Sequence, residues 1–530
     1  MTAEPVAALN MPGAARPWWE ARWFIVLVVL ATMVPLLYPA VPPLVDLPGH
    51  IGRYRVELDL AHSASLQRFY DYHWAPLGTL GVDVLLMLFA PLIGLEPAVK
   101  LIVLAIPPLT AAGFLWVARE VHGRVPPTAL FALPFIYGFP FLFGFVNFAL
   151  SVALAFLAFG LWLRLGRLGQ ERLRGWLFAP ISLLLFFCHT YGWGLLGLMC
   201  FSANVVRLRD SGQLWLRALA SSALQVSPMA LPLAVMLLTP APAHGAFAGG
   251  WFDWDAKWVA IMGTLRDRWG PLDVTSLEVA ALLFLFALTS PKLKLARRLA
   301  APALLLAAAF ILLPRFIMDS AYADERLLPY LAALALLAIR RPADPRLGRF
   351  LAIGALAFFI VRLGGTTASL AMAADTQQAK LHALDHVPPG ARVASFYGLP
   401  HAEPWSLQRD SHLGGRVIAR RGGFSNDQWI TAGHNLLTLK YREAGSFASN
   451  PSQVVRPNGT HDGVYRTIDE ALAQVPRDRF DFVWLLNDLP FDQRLVADLR
   501  PVWRGSGSTL YRIKHASGDQ PRNGQLSVRR

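Results

Sequence analysis

Residues 146–176 read VNFALSVALAFLAFGLWLRLGRLGQERLRGW. As far as Leu163 only Asn147 and Ser151 are polar, and the run is close to the ~20 residues that cross a hydrocarbon layer as a helix. Beyond it stand Arg164, Arg167, Arg172 and Arg174 against one acid, Glu171. An apolar run closed by clustered arginines marks a membrane helix whose basic end lies on the cytoplasmic side. The same pattern recurs along the chain. Apolar segments fall at 22–45, 80–94, 97–118, 127–142, 146–165, 176–206, 214–239, 276–291, 297–314, 327–340 and 348–372. Several are short for a full crossing, which points to tilted, re-entrant or half-helices.

Composition agrees. The 530 residues are 55% hydrophobic and only 16% charged, where a soluble protein carries about a quarter charged residues. The net charge of +14 is spread over short loops, as in a polytopic membrane protein, and forms no concentrated patch for nucleic acid. Cys188 and Cys200 both sit in one apolar segment and read as buried thiols. The first 21 residues lack the cleavage site of a signal peptide, so they read as a cytoplasmic segment and the first apolar run as an anchor.

Lys/Arg bias places 164–176, 207–212, 291–298 and 340–349 inside, and 244–258 and 319–326 outside. Residues 80–118 make one crossing or two. Residues 176–206 are one long helix or, preferably, a hairpin turning at CHTYGWG (188–194), which keeps both Arg-rich loops inside. After residue 375 the chain becomes polar. RVASFYG (392–398), RFDFVWLLN (479–487) and STLYRIK (508–514) read as strands, and TIDEALAQV (467–475) as a helix starting near Thr467. The expected organisation is an α-helical polytopic membrane protein of about eleven transmembrane helices. It comprises a cytoplasmic segment 1–21, a membrane domain 22–375 with an external loop 46–79, a small external α/β domain 376–514, and a polar tail 515–530 that reads as disordered. No internal repeat of the transporter kind is visible.

Four places offer chemistry. LVDLPGH (44–50) puts Asp46 where the first membrane segment ends, among prolines that fix the exit path. A carboxylate there suits a general base acting on a lipid-borne substrate. His50 shares its face if a helix begins at 46, so that the pair orient one another, hold a divalent metal or contact phosphate. The alternative is a solvated exit loop. DSAYADERLLPY (319–330) places Asp319, Asp324, Glu325 and Arg326 before an apolar helix. Arg326 against the positive-inside bias suits an anionic ligand, or a local ion pair with Asp324 or Glu325. His189, in FFCHTYGWG, is an ionisable group in an apolar segment; it reads as a site residue or as a histidine bonded within the bundle. The aromatic loop 240–275 fits sugar stacking or headgroup anchoring.

The first helix leading to an external Asp, the PL step in HWAPLGTLGVDVLLMLFAPLIGLEP (73–97), DERLLPYLAALALL (324–337) near the outer end of a late helix, and the closing external domain resemble the GT-C superfamily of integral-membrane glycosyltransferases. That superfamily includes the protein mannosyltransferase-like and aminoarabinose transferase-like enzymes. The resemblance implies a polyprenyl-phosphate sugar donor, an envelope glycan, lipid or protein acceptor, and inversion at the anomeric centre. It also implies an active site facing the exterior of a bacterial inner membrane. On it Asp46 is the base or metal-site carboxylate, Arg326 contacts the lipid phosphate, and His189 takes the place of a basic residue near the outer end of a middle helix; the residues themselves add His50 and Asp324 as expected substrate-binding groups. A divalent metal, Mg or Mn, is the one cofactor it admits. The chain departs from the pattern in having Leu47 after Asp46 and Leu327 after Arg326. A transporter or flippase of a lipid-linked or anionic substrate is the competing reading.

Overall fold

In the computed structural model, residues 17–238, 247–317, 320–430, 435–460 and 463–515 are described. Most of the N-terminal segment, Asp319 and the tail after His515 lie outside them. Among the described residues, five helices are long and apolar enough to cross a membrane: Leu95–His122, Val146–Arg167, Trp215–Leu238, Gly270–Thr289 and Pro345–His386. Shorter apolar helices, including Arg22–Ala31, Gly81–Ile93 and Leu328–Leu337, fill in between them. The pair Leu95–His122 and Val146–Arg167 packs most closely because small residues let the backbones approach. A Cβ on Gly113 would meet that of Phe156 at 2.8 Å, and one on Gly160 would meet the Trp116 ring at 2.9 Å.

Two segments left open by the sequence lie among the described residues. The segment 176–206 is two helices, Glu171–Cys188 and Thr190–Asp210, broken at His189 and packed on one another. Within 80–118 only Leu95–His122 is long and apolar enough to cross a membrane. The helix Gly81–Ile93 has both ends on one face: Asp83 pairs with Arg53 of the helix Leu47–Asp59, and Gly94 leads into Glu96, which pairs with Arg416 and Arg420. Its outer stripe, Val84, Met87, Leu88 and Leu92, is exposed. Residues at this spacing form one helical face, which suits a helix lying along the membrane boundary.

The C-terminal region is an α/β domain. Its strands are β1 (Tyr70–Tyr72), β2 (Arg392–Gly398), β3 (Phe424–Ser425), β4 (Leu437–Leu439), β5 (Val454–Arg456), β6 (Arg466–Thr467), β7 (Phe482–Leu486), β8 (Leu499–Gly505) and β9 (Ser508–Ile513). The main sheet runs β6-β5-β2-β7-β9-β8, with β3 beside the start of β2. Its β2, β3, β5, β6 and β7 are parallel, and β9 and β8 close it antiparallel. All five β7 residues are buried, as a strand covered on both faces requires. The helix Ile468–Gln474 starts with a capping box: Glu470 N–H donates to Thr467 Oγ1, and Thr467 N–H to Glu470 Oε2.

The loop 46–79 is physically part of this domain. Val56, Leu66, Phe69 and Tyr70 share a core with Phe396, Val455 and Val483, and β1 pairs with β4. The helix Leu47–Asp59 docks on the helix Gly415–Arg421 through glycine. A Cβ on Gly415 would lie 2.5 Å from the Pro48 carbonyl and 2.8 Å from the Gly49 Cα. Gly415→Val is therefore expected to lower stability by about 1–3 kcal/mol, read as a fall in thermal midpoint in detergent. Gly197→Ala, where a Cβ meets nothing within 4 Å, is expected to leave it unchanged.

Buried ion pairs bolt the domain to the membrane helices. Asp267 Oδ1 accepts from Arg409 Nη2 and Ser369 Oγ, both at 2.6 Å, while Arg409 Nη1 donates to the Pro43 carbonyl at 2.6 Å. Asp273 accepts from Arg362 at 2.7 Å and from the Trp405 indole at 2.8 Å. These charges are paired and hydrogen-bonded, the condition under which buried ions are tolerated. They hold the exit strand at Pro43 in place, three residues before Asp46.

Candidate active site

The chain delivers Asp46 along a fixed path. Val45 N–H donates to Leu142 O and Asp46 N–H to Phe143 O at 2.8 Å, clipping the exit strand to the end of the helix Phe139–Phe143. Asp46 then stands at the N-terminus of the helix Leu47–Asp59, with Pro48 in the first turn, where no amide hydrogen is missed. Its carbonyl accepts from His50 N–H at 3.0 Å, but its side chain makes no capping bond. The carboxylate is instead turned into the junction between membrane helices and domain, and the residue is 8% exposed. Burial pushes its pKa up to about 8, partly offset by the positive charge of Arg326.

Arg326 lies just ahead of the helix Leu328–Leu337 and is 6% exposed. The two acids beside it are occupied elsewhere. Asp324 Oδ2 is 2.8 Å from Lys257 Nζ, and its Oδ1 accepts from Glu325 N–H; Glu325 pairs with Arg315 at 2.6 Å. The local ion pair considered for Arg326 does not form, and Asp324 is committed to Lys257. The Arg326 guanidinium lies over Phe145, 4.0 Å from its centroid, with Tyr191 at 5.5 Å. Its Nη2 donates to Ser320 Oγ at 2.8 Å and Ala321 O at 3.1 Å, and its Nε has no partner among the described residues. A buried cation without a carboxylate in contact is costly, and a planar fork in that state suits an anionic ligand.

His189 is the break between two helices. Its Nδ1 accepts from Tyr191 N–H at 3.2 Å, and its ring packs edge-on to Phe148 and Tyr191. Arg326 covers the same two rings, so Phe148 and Tyr191 link His189 to Arg326. Asn147, one residue earlier, braces the outer end of this layer by bonding Thr79 O, Val82 N–H and Asp83.

The domain adds residues that the sequence did not single out. His412 Nε2 lies 3.9 Å from Asp46 Oδ1, beyond a direct hydrogen bond but right for a bridging hydroxyl. The Trp429 ring packs 4.4 Å from His412 and 5.0 Å from His50, directly over Gly49. Burial pushes His412 down to about 4. Burial, then the neighbouring Arg53, pushes His50 down to about 3. Both imidazoles are thus neutral near pH 7 and able to accept from a hydroxyl. The available signals were a histidine before a glycine pair in DSHLGG (410–415) and the polar turn SNDQW (425–429). The donor set does not fit a divalent ion. Among the described residues no three His, Cys, Asp or Glu groups converge enough to hold one. No step below passes through a metal.

No family model matches the sequence, and no curated protein matches it. Among solved structures the chain is similar to ArnT from Cupriavidus metallidurans in the apo state. That match has 13% identity and a TM-score of 0.48, and covers 92% of this chain and 97% of that one. It is likewise similar to the same protein bound to undecaprenyl phosphate, at 12% identity and a TM-score of 0.45, over 92% and 96% of the two chains.

Proposed function

We propose that the protein is a membrane glycosyltransferase that moves a sugar from a polyprenyl-phosphate-linked donor to an acceptor hydroxyl, with inversion. The observation that carries the reading is the pairing of a buried, proton-avid carboxylate, Asp46, with a buried arginine, Arg326, that no carboxylate among the described residues contacts. The acceptor oxygen attacks the anomeric carbon while the bond from that carbon to the lipid phosphate breaks. Asp46 takes the hydroxyl proton. The departing phosphate gains negative charge, which Arg326 stabilises in a site of low dielectric. His50, His412 and Trp429 supply acceptors and an apolar ring face for a sugar, and His189 supports the Arg326 layer through Phe148 and Tyr191. The Arg-rich segments 164–176, 207–212 and 291–298 lie at the helix ends away from the domain, which under the positive-inside bias supports an outward-facing site.

The test is a transfer assay with purified protein in liposomes and a panel of labelled polyprenyl-phosphate sugars. The expected result is free polyprenyl phosphate together with label on an added hydroxyl acceptor. Label that crosses the bilayer with the sugar–phosphate bond intact would instead identify a flippase and overturn the reading.

A further inference from the structure

A second polar site lies at the opposite end of the helix bundle from Asp46. Four helices contribute to it: Val146–Arg167, Glu171–Cys188, Thr190–Asp210 and Arg297–Leu312. They enclose a cavity of about 200 Å³ whose polar lining is Arg167, Arg174, Asn204, Arg207 and Arg298, with the Trp162 ring as one wall. Arginines at this face are expected from membrane orientation alone, but then they would be solvated. Arg174 is 2% exposed. Its guanidinium lies 3.8 Å over the Trp162 ring and donates to the neutral Gln225 Oε1 at 2.6 Å. Its Nη1 sits in space left by Gly166, where a Cβ would be 2.8 Å away.

The charges do not balance within the cavity. Arg167 pairs with Glu120 and Arg207 with Glu171. Asp210, the next acid, is engaged by Arg297 at 2.5 Å. Arg174 and Arg298 form no ion pair with any described residue. The site therefore holds two cations beyond its acids, one of them buried against an aromatic ring.

We infer that this cavity binds a phosphate group, and that its source is the headgroup of an anionic lipid in the leaflet opposite the active site. Arginine forks match phosphate oxygens in pairs, and basic pockets between membrane helices hold such headgroups. The rim favours a lipid over a free anion. Leu163 lines the cavity; Leu168, Leu173 and Trp176 beside it are exposed, Trp176 by 82%, as groups in contact with acyl chains and interface are.

The experiment uses the full-length protein in detergent. Native mass spectrometry reads the occupancy of added phosphatidylglycerol, and thermal unfolding reads protection by inorganic phosphate. Wild type is expected to retain phosphatidylglycerol, with Arg174→Gln and Arg298→Gln each weakening it about tenfold, the size of one charge-assisted contact. Arg500→Gln, an equal charge loss on the exposed face of β8, is expected to have no effect. Protection by inorganic phosphate that both variants lose would support the phosphate site and reassign its source to a soluble phosphate. Should Arg174→Gln not fold, Arg298→Gln carries the test, since its side chain hydrogen-bonds to no described residue. Equal lipid retention by wild type and both variants, with no phosphate protection, overturns the inference.

Discussion

Asp46→Asn is expected to lower kcat for sugar transfer by about a thousandfold, within the range for loss of a general base, with little change in donor KM. Asparagine keeps the shape and leaves the backbone clip to Phe143 intact, but it cannot take the acceptor proton. Asp46 makes no capping bond and no ion pair shorter than its 3.9 Å approach to His412, so the substitution breaks no structural contact. The thermal midpoint should hold while turnover falls. A fall in both together would mark Asp46 as a structural residue.

Arg326→Met is expected to lower kcat/KM by about 10²–10³-fold, the usual loss when one donor to developing negative charge is removed. Arg326→Lys should recover part of that, because it restores the charge but not the fork. A second consequence is separable from phosphate binding. Arg326 is the group that holds the Asp46 pKa down against burial, so without it Asp46 titrates higher. The pH limb of the residual rate should then move to higher pH than in wild type. A purely structural arginine would change stability and leave the limb in place.

Much of this arrangement was visible in the chain, for identifiable reasons. Apolar runs closed by arginines mark the membrane helices directly, and Asp46, His189 and Arg326 stand out because ionisable groups at the ends of such runs are rare. Strands β2, β7 and β9 were legible as β-branched or aromatic runs between turn residues, and the helix after Thr467 from its capping residues. Direction was not legible. Hydropathy gives the helix Gly81–Ile93 an apolar stripe, but only the pairing of Asp83 with Arg53 and Glu96 with Arg416 shows that both its ends meet the same face. Partner choice was hidden too. The acids next to Arg326 looked like its partners, yet Asp324 faces Lys257, which the sequence offered only as part of an aromatic loop. His412 and Trp429 lie more than 350 residues from Asp46 in a domain whose register no local pattern specifies. Strands as short as β1 and β4 exist only because they meet one another.

The pH dependence of transfer tests the central claim most directly, because the base must be ionised and its burial raises its pKa to about 8. The kcat/KM for the donor, which reports the free enzyme, should climb about tenfold per pH unit below about 8 and level off above it, and Asp46→Asn should abolish that limb. A profile that is flat between pH 5 and 9, or that falls as pH rises, would contradict the account: Asp46 would then not be the group that takes the proton.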